Sequence, residues 1–332
     1  MENFFPPPNP LSDDNSLLEM TTDININEEL NQDTGLTGEA ASPAPSGTTD
    51  ESENAEPIAS STVFHSSFNV EEGYPDILLV SVDHVVFHVH QHRLLQSSQN
   101  NFAGTFPLIL LPIPSITPLV TFPAHSDVLN ITLHVIYNIP FRLLQPTLEA
   151  MLASIPVLKA FGIPLSEHVI PSKPLFQSIL SFMPLRPMDV FISAAESNIE
   201  ELAVSSSSYL LSFDLAAISD PMAERMGPIY LKRLFLLHSY RLNVLKTLCF
   251  EPPKQHTPTL TCCFEDQQAL TRAWNLACSA FAWEGTPDLP VGIIRTTLYS
   301  LATGVACPEC KASLDGRVKE VVRDWSMTKR TI

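Results

Sequence analysis

Cys307-Pro-Glu-Cys310 is the spacing with the clearest chemistry in this 332-residue chain. Two cysteines separated by two residues can turn both thiolates toward one Zn²⁺, with the proline shaping the turn between them. Cys262 or Cys263, or His256, could complete a tetrahedral set. A thioredoxin-like redox role needs a βαβ context, and the flanking sequence does not supply one. The competing reading is of ordinary reduced cysteines, in which case the chain requires no cofactor. His88, His90 and His92 alternate, so on a strand they would share one face, as an H-x-H metal site demands. No convincing set of further ligands follows them.

Nucleophilic and phosphate chemistry find no support. The chain has no G-x-S-x-G elbow, no G-x-x-x-x-G-K-[ST] loop and no G-x-G-x-x-G, and it holds only 11 glycines from which to build one. Ser205 to Ser208 fall inside a predicted helix, where they read as a small-residue packing surface that a kinase could also use. No enzyme is expected.

The elements that would carry these residues follow from periodicity. Two apolar runs, 77–82 and 85–89, are separated by Asp83-His84, which predicts strands joined by a two-residue turn. Leu94, Leu95, Ser98 and Phe102 then recur at helical intervals. Residues 119–122 predict a short strand. Asp127 is expected to cap a helix containing Val128, Ile131 and Val135, and Gly162 to close another that starts at Leu148. From Leu175 onward the pattern is helical without strands, including a helix that starts at Pro228. A proline-rich linker, 251–258, leads to a face formed by Leu270, Ala273, Trp274, Ala277 and Phe281, and a final helix is expected from Leu314 with Val318, Val321, Val322 and Trp325 on one side.

Asp76, Phe87, His90, Leu95, Ser98 and Phe102, in that order around a strand pair and a helix, resemble the first half of a BTB/POZ domain. The stretch Asp127-Val-Leu-Asn-Ile-Thr-Leu-His-Val-Ile-Tyr137 is similar to that family's helix ending in an Ile-Tyr pair. Further on, Pro184-Leu-Arg-Pro187, Met226-Gly-Pro-Ile-Tyr-Leu-Lys-Arg-Leu-Phe235, Leu270-Thr-Arg-Ala-Trp274 and Trp325-Ser-Met-Thr-Lys-Arg-Thr-Ile332 resemble BTB-domain proteins of mushroom-forming (basidiomycete) fungi. The resemblance implies an α+β fold, a BTB/POZ-type α/β module followed by an all-helical C-terminal region. It makes His90 a hydrogen-bonded structural residue at the strand-to-helix junction. It favours Cys262 as the third zinc ligand beside Cys307 and Cys310, and leaves the fourth open among His256, Cys263 and another residue.

The same resemblance implies protein partners: a homodimer or a heteromeric pair formed through the module, and service as an adaptor for a cullin-type ubiquitin ligase. Adaptors typically place a hydrophobic-x-Glu element after the position of Phe106, whereas here no acid occurs before Asp127. An alternative is a transcriptional co-regulator whose acidic tail is the effector segment.

Charge is distributed unevenly. Residues 1–92 contain 17 Asp or Glu and no Lys or Arg, while the remainder balances 19 against 19. A neutral body with an acidic tail offers no footprint for phosphates, so no direct nucleic-acid partner is expected. The apolar stretch 106–124 carries five prolines and cannot span a membrane as a helix. Irregular cysteines and an N-terminus without a basic or apolar leader predict an intracellular protein, cytoplasmic or nuclear. The expected organisation is a disordered acidic tail at 1–61, a BTB/POZ-like domain at 62–170, a helical extension at 171–250 and a helical region at 251–332 with the zinc candidates.

Overall fold

A strand pair forms over residues 77–89, where buried side chains alternate with half-buried ones. The computed structural model describes residues 59–68, 73–106, 117–141 and 144–332; the expected tail up to residue 58 and the proline-rich residues 107–116 lie outside them. Strands β2 (Ile77–Val80) and β3 (Val85–Val89) pair antiparallel, with Leu79 opposite Phe87 and Ile77 opposite Val89, all four buried. The sheet has the order β1-β3-β2-β4, in which β1 (Ala59–Ser60) runs parallel to β3 and β4 (Leu119–Thr121) parallel to β2. Strand β1 thus falls inside the stretch 1–61 expected as a tail, and it is held there because the Ser61 amide bonds Val86 O and the Ser61 hydroxyl accepts from Phe64 N–H.

The hairpin connection is longer than predicted. Residues 81–84 form it, with His84 at a φ of 59° and the Ser81 hydroxyl accepting from Val85 N–H. Val82 leaves the strand because its N–H bonds Ala124 O, outside the hairpin.

Helix α1 (Gln91–Ser97) is also shorter than its periodicity suggests, ending before Phe102. Asn101, Phe102 and Ala103 all take positive φ, from 52° to 56°, which costs backbone strain in residues with a Cβ. Ser98 secures that turn: its hydroxyl accepts from Phe102 N–H at 2.7 Å and donates to Phe161 O at 2.7 Å.

Helix α2 (Ser126–Ile136) is not capped by Asp127, which sits inside its first turn. The cap comes from the hairpin, where the Asp83 carboxylate accepts from Ser126 N–H at 2.8 Å and from its hydroxyl at 2.6 Å. Helix α3 (Leu148–Ala160) follows and ends, as expected, on Gly162 at a φ of +71°; a Cβ there would lie 2.4 Å from the Asn100 side chain. Short helices α4 (Leu165–His168) and α5 (Pro174–Leu180) lead to α6 (Pro187–Ser197) and α7 (Glu200–Ser207).

Helix α8 (Asp220–Phe250) kinks at Gly227, with Pro228 starting its longer segment. Helices α9 (Phe264–Glu284), α10 (Val291–Ser300) and α11 (Pro308–Met327) complete a mixed α+β chain. Helix α11 begins at Pro308, earlier than the expected Leu314, and α10 lacked a helical signature because Gly292 and β-branched residues dominate it.

Among the described residues two hydrophobic cores result. One gathers buried residues from Phe64 to Leu237 together with Ile332, so that no separate core divides residues up to 170 from those that follow; the other runs from Leu245 to Trp325. Helix α8 contributes to both. At the junction Arg241, 1% exposed, donates to Pro287 O, Thr328 O and Lys329 O and lies over the Trp325 ring at 4.2 Å. Burial pulls its pKa down to about 10. Among the described residues no helix is long and apolar enough to cross a membrane.

Candidate metal centre

Each donor of the C-terminal cysteine cluster is placed by a local device. Cys307 is the N-cap of α11 and Cys310 lies in its first turn, so a separation of three residues puts both on the same side of the helix. Cys262 closes a tight turn with Thr259, held by Thr259 N–H to Cys262 O at 2.9 Å and the reverse bond at 3.3 Å. Its neighbour Cys263 is the N-cap of α9 and is exposed; its backbone N–H and thiol both bond Asp266 Oδ2, at 2.9 and 3.1 Å. Cys263 therefore serves its own helix and is not a donor to the cluster.

His256 arrives from the stretch read as a linker. Residues 251–258 in fact lie along α11, where Arg317 donates to Leu248 O and Glu251 O and Ser313 donates to Lys254 O. The His256 amide is held by Gln267 Oε1 of α9 at 3.0 Å. Its Nδ1 lies 2.8 Å from Thr257 O, so an Nδ1–H donated there leaves the Nε2 lone pair facing the sulfurs.

The four donor atoms, from His256, Cys262, Cys307 and Cys310, all lie within 4.8 Å of one another. Nε2 is 3.4 Å from Cys307 Sγ and 3.3 Å from Cys310 Sγ, and Cys262 Sγ is 3.7 Å from Cys310 Sγ. A tetrahedron with sulfur at 2.3 Å and nitrogen at 2.0–2.1 Å from its centre has S···S edges of about 3.8 Å and S···N edges of about 3.6 Å. Those three separations are near the edges of such a tetrahedron and the remaining ones stay within 4.8 Å, so the group could hold a metal.

Electrostatics differ among the thiols. The Cys310 amide, at the amino end of α11, with that of Glu309 beside it, draws the Cys307 thiol down to about 7. Burial pushes Cys262 up to about 12 and also raises Cys310. The hydrogen bond to Thr257 O raises His256. Three sulfurs so close together cannot all be thiolates unless a cation stands between them.

The residues of the family resemblance are placed elsewhere. His88 lies in β3, His90 precedes α1 and His92 is within it, so the three imidazoles do not share a strand face. His90 is buried, with Nε2 at 3.0 Å from Gly73 O and Nδ1 at 3.0 Å from the Tyr137 hydroxyl, which also accepts from His90 N–H at 2.9 Å. Asp76 accepts from Gln91 N–H at 2.7 Å and so reaches the start of α1. Phe87 and Phe102 are core residues, whereas Leu95 packs against the core only partly buried and Leu94 is fully enclosed. Ser205 to Ser208 turn their hydroxyls back onto carbonyls three and four residues earlier.

Comparison of the chain with models of protein families, with curated proteins and with solved structures gave no match in any of the three.

Proposed function

We propose that this chain is a protein-interaction protein whose α/β part is a BTB/POZ-like, self-associating module and whose C-terminal helical part is braced by a structural zinc ion. The zinc reading is carried by one observation: three cysteines and a histidine, drawn from the 251–258 segment, the turn before α9 and the start of α11, converge on one tetrahedral set. Thiolate and imidazole donors favour zinc over the hard cations, and four protein ligands with no open position suit a structural site. Metal analysis of protein purified without chelator is expected to find about one zinc per chain, lost in Cys307→Ser. Metal-free protein whose stability chelator leaves unaltered would return these residues to ordinary thiols.

Support for the interaction reading comes from the hairpin-to-helix unit. Asp76, His90 and Ser98, residues shared with the family pattern, each make a hydrogen bond that ties one element to another. A module of that family associates with itself and, in adaptors, hands a bound protein to a cullin. Sedimentation at roughly tens of micromolar is expected to give a dimer. A monomer there removes the support for self-association, and co-purification of transcription factors in place of cullin subunits would favour a co-regulator role for the acidic segment.

A further inference from the structure

Beside the metal centre lies a cavity of about 370 Å³ lined by Cys262, Cys307 and Cys310. Its rim includes exposed Thr261, Asp266, Ala269, Gly304 and Ala306, and Leu270 and Ala273 of α9 form a wall. A closed structural site needs no such access. Cys262 is 2% and Cys310 5% exposed, and Cys307 is a partly exposed residue whose donor group is enclosed like theirs, so the cavity is the approach to its sulfur. The other buried pair, Cys249 and Cys278, is absent from the cavity lining and supplies an internal control.

We propose that Cys307 is an oxidant-reactive thiolate of this centre, at which a small peroxide entering the cavity oxidises the site, closes a Cys307–Cys310 disulfide and expels the metal. The proposal rests on the zinc reading above. Metal coordination keeps the sulfur in the thiolate form that peroxides require. In the first step the Cys307 sulfur attacks one peroxide oxygen; an S–O bond forms, the O–O bond breaks, and hydroxide leaves a sulfenic acid. The Cys310 thiolate then attacks that sulfur, an S–S bond forms, the S–O bond breaks and a second hydroxide departs. Two protons from solvent convert the hydroxides to two waters, so the thiolates lose two electrons and the peroxide gains them.

Cys310 is the resolving partner because positions three apart at a helix start have Cα atoms about 5 Å apart, inside the disulfide range of 4.4–6.8 Å. Loss of two of four donors releases the ion. His256 and Cys262 then no longer bind the 251–263 segment to α11 through metal.

The test uses the full-length, zinc-loaded protein, titrated with hydrogen peroxide while released zinc is followed with a chromogenic indicator and cysteine states by peptide mass mapping. Zinc is expected to leave in step with formation of one Cys307–Cys310 disulfide, Cys249 and Cys278 staying reduced, and reductant plus zinc should reverse both changes. Ala273→Leu, which fills the cavity wall without touching a ligand, should leave zinc content unchanged and slow release several-fold. Zinc-loaded protein that keeps its metal under peroxide, or loses it with Cys307 unmodified, overturns this inference while the zinc reading stands. Protein that binds no zinc overturns both.

Discussion

The two cores solve the same problem with different means. Among the described residues 45 buried side chains form the first and 14 the second, and four of those 14 are cysteines. A core as small as the second rarely supplies more than ~3–5 kcal/mol, and domains of that size usually carry a staple. The first core, built on a sheet with helices against it, has enough apolar burial to need none. The lesson is that the donor cluster sits where apolar burial is scarcest, between a segment without regular structure and two helices that it joins.

The largest expected effect breaks that comparison directly. Chelation of the metal should abolish or markedly lower the melting of the second core and leave the transition of the first in place, as followed by calorimetry and by the near-ultraviolet signals of Trp274 and Trp325. Cooperative collapse of both cores on chelation would show that they are not separable. Next in size is Phe87→Ala, expected to cost ~3–5 kcal/mol in denaturant melts through the first core, with zinc content unaltered; a harmless substitution would discard the hairpin-to-helix packing. Gln91→Ala, at a half-buried position whose hydrogen bond to Asp76 is made by the backbone, should leave stability nearly unchanged.

A smaller effect tests the junction. Arg241→Met should cost ~1.5–3 kcal/mol, because three carbonyls lose a charged donor, and should move the two transitions further apart. The smallest concerns acid. Burial works to raise the Asp83 pKa, but the hydrogen bonds from Ser126 and Ser81 outweigh it and hold the group down at about 2. A depressed folded value contributes stability that is complete above the unfolded pKa of ~3.9 and lost as pH falls toward 2. The side chain is 36% exposed, so screening should keep the contribution below about 1 kcal/mol. A wild-type and Asp83→Asn pair whose stability difference does not shrink from pH 5 to pH 2.5 would contradict that role for the cap on α2.

Much of this was legible in the residues, and what was not has identifiable causes. Two apolar runs parted by Asp83-His84 located β2 and β3, and C-x-x-C spacing located half the donor set, because both signals are local. His256 was an open alternative and no more, since its segment is proline-rich and its position depends on Arg317 and Ser313, some 60 residues further on. Periodicity offers Leu94 and Leu95 alike, since a helix of seven residues is too short for its period to fix a face to better than one position, and it was the family pattern that singled out Leu95. The left-handed turn at Phe102 was not legible because, although Asn101 and Gly104 on either side suit positive φ, nothing in Phe102 or Ala103 asks for it. It is the hydrogen bonds of Ser98 that hold it there.

The return of Ile332 to the first core has a mechanical consequence. Helix α8 alone would join the cores as an axle, about which the second could turn with little resistance beyond surface contacts. Ile332 buries its side chain beside the first core and bonds the Ser207 hydroxyl through its amide at 3.1 Å, while Arg241 grips the carbonyls of Thr328 and Lys329 a few residues earlier. That second fastening, set away from the axle, takes up torque. Any force that rotates one core against the other must first pull the strap free, so cutting the backbone within residues 328–332 should change how the cores swivel far more than how stably either one is folded.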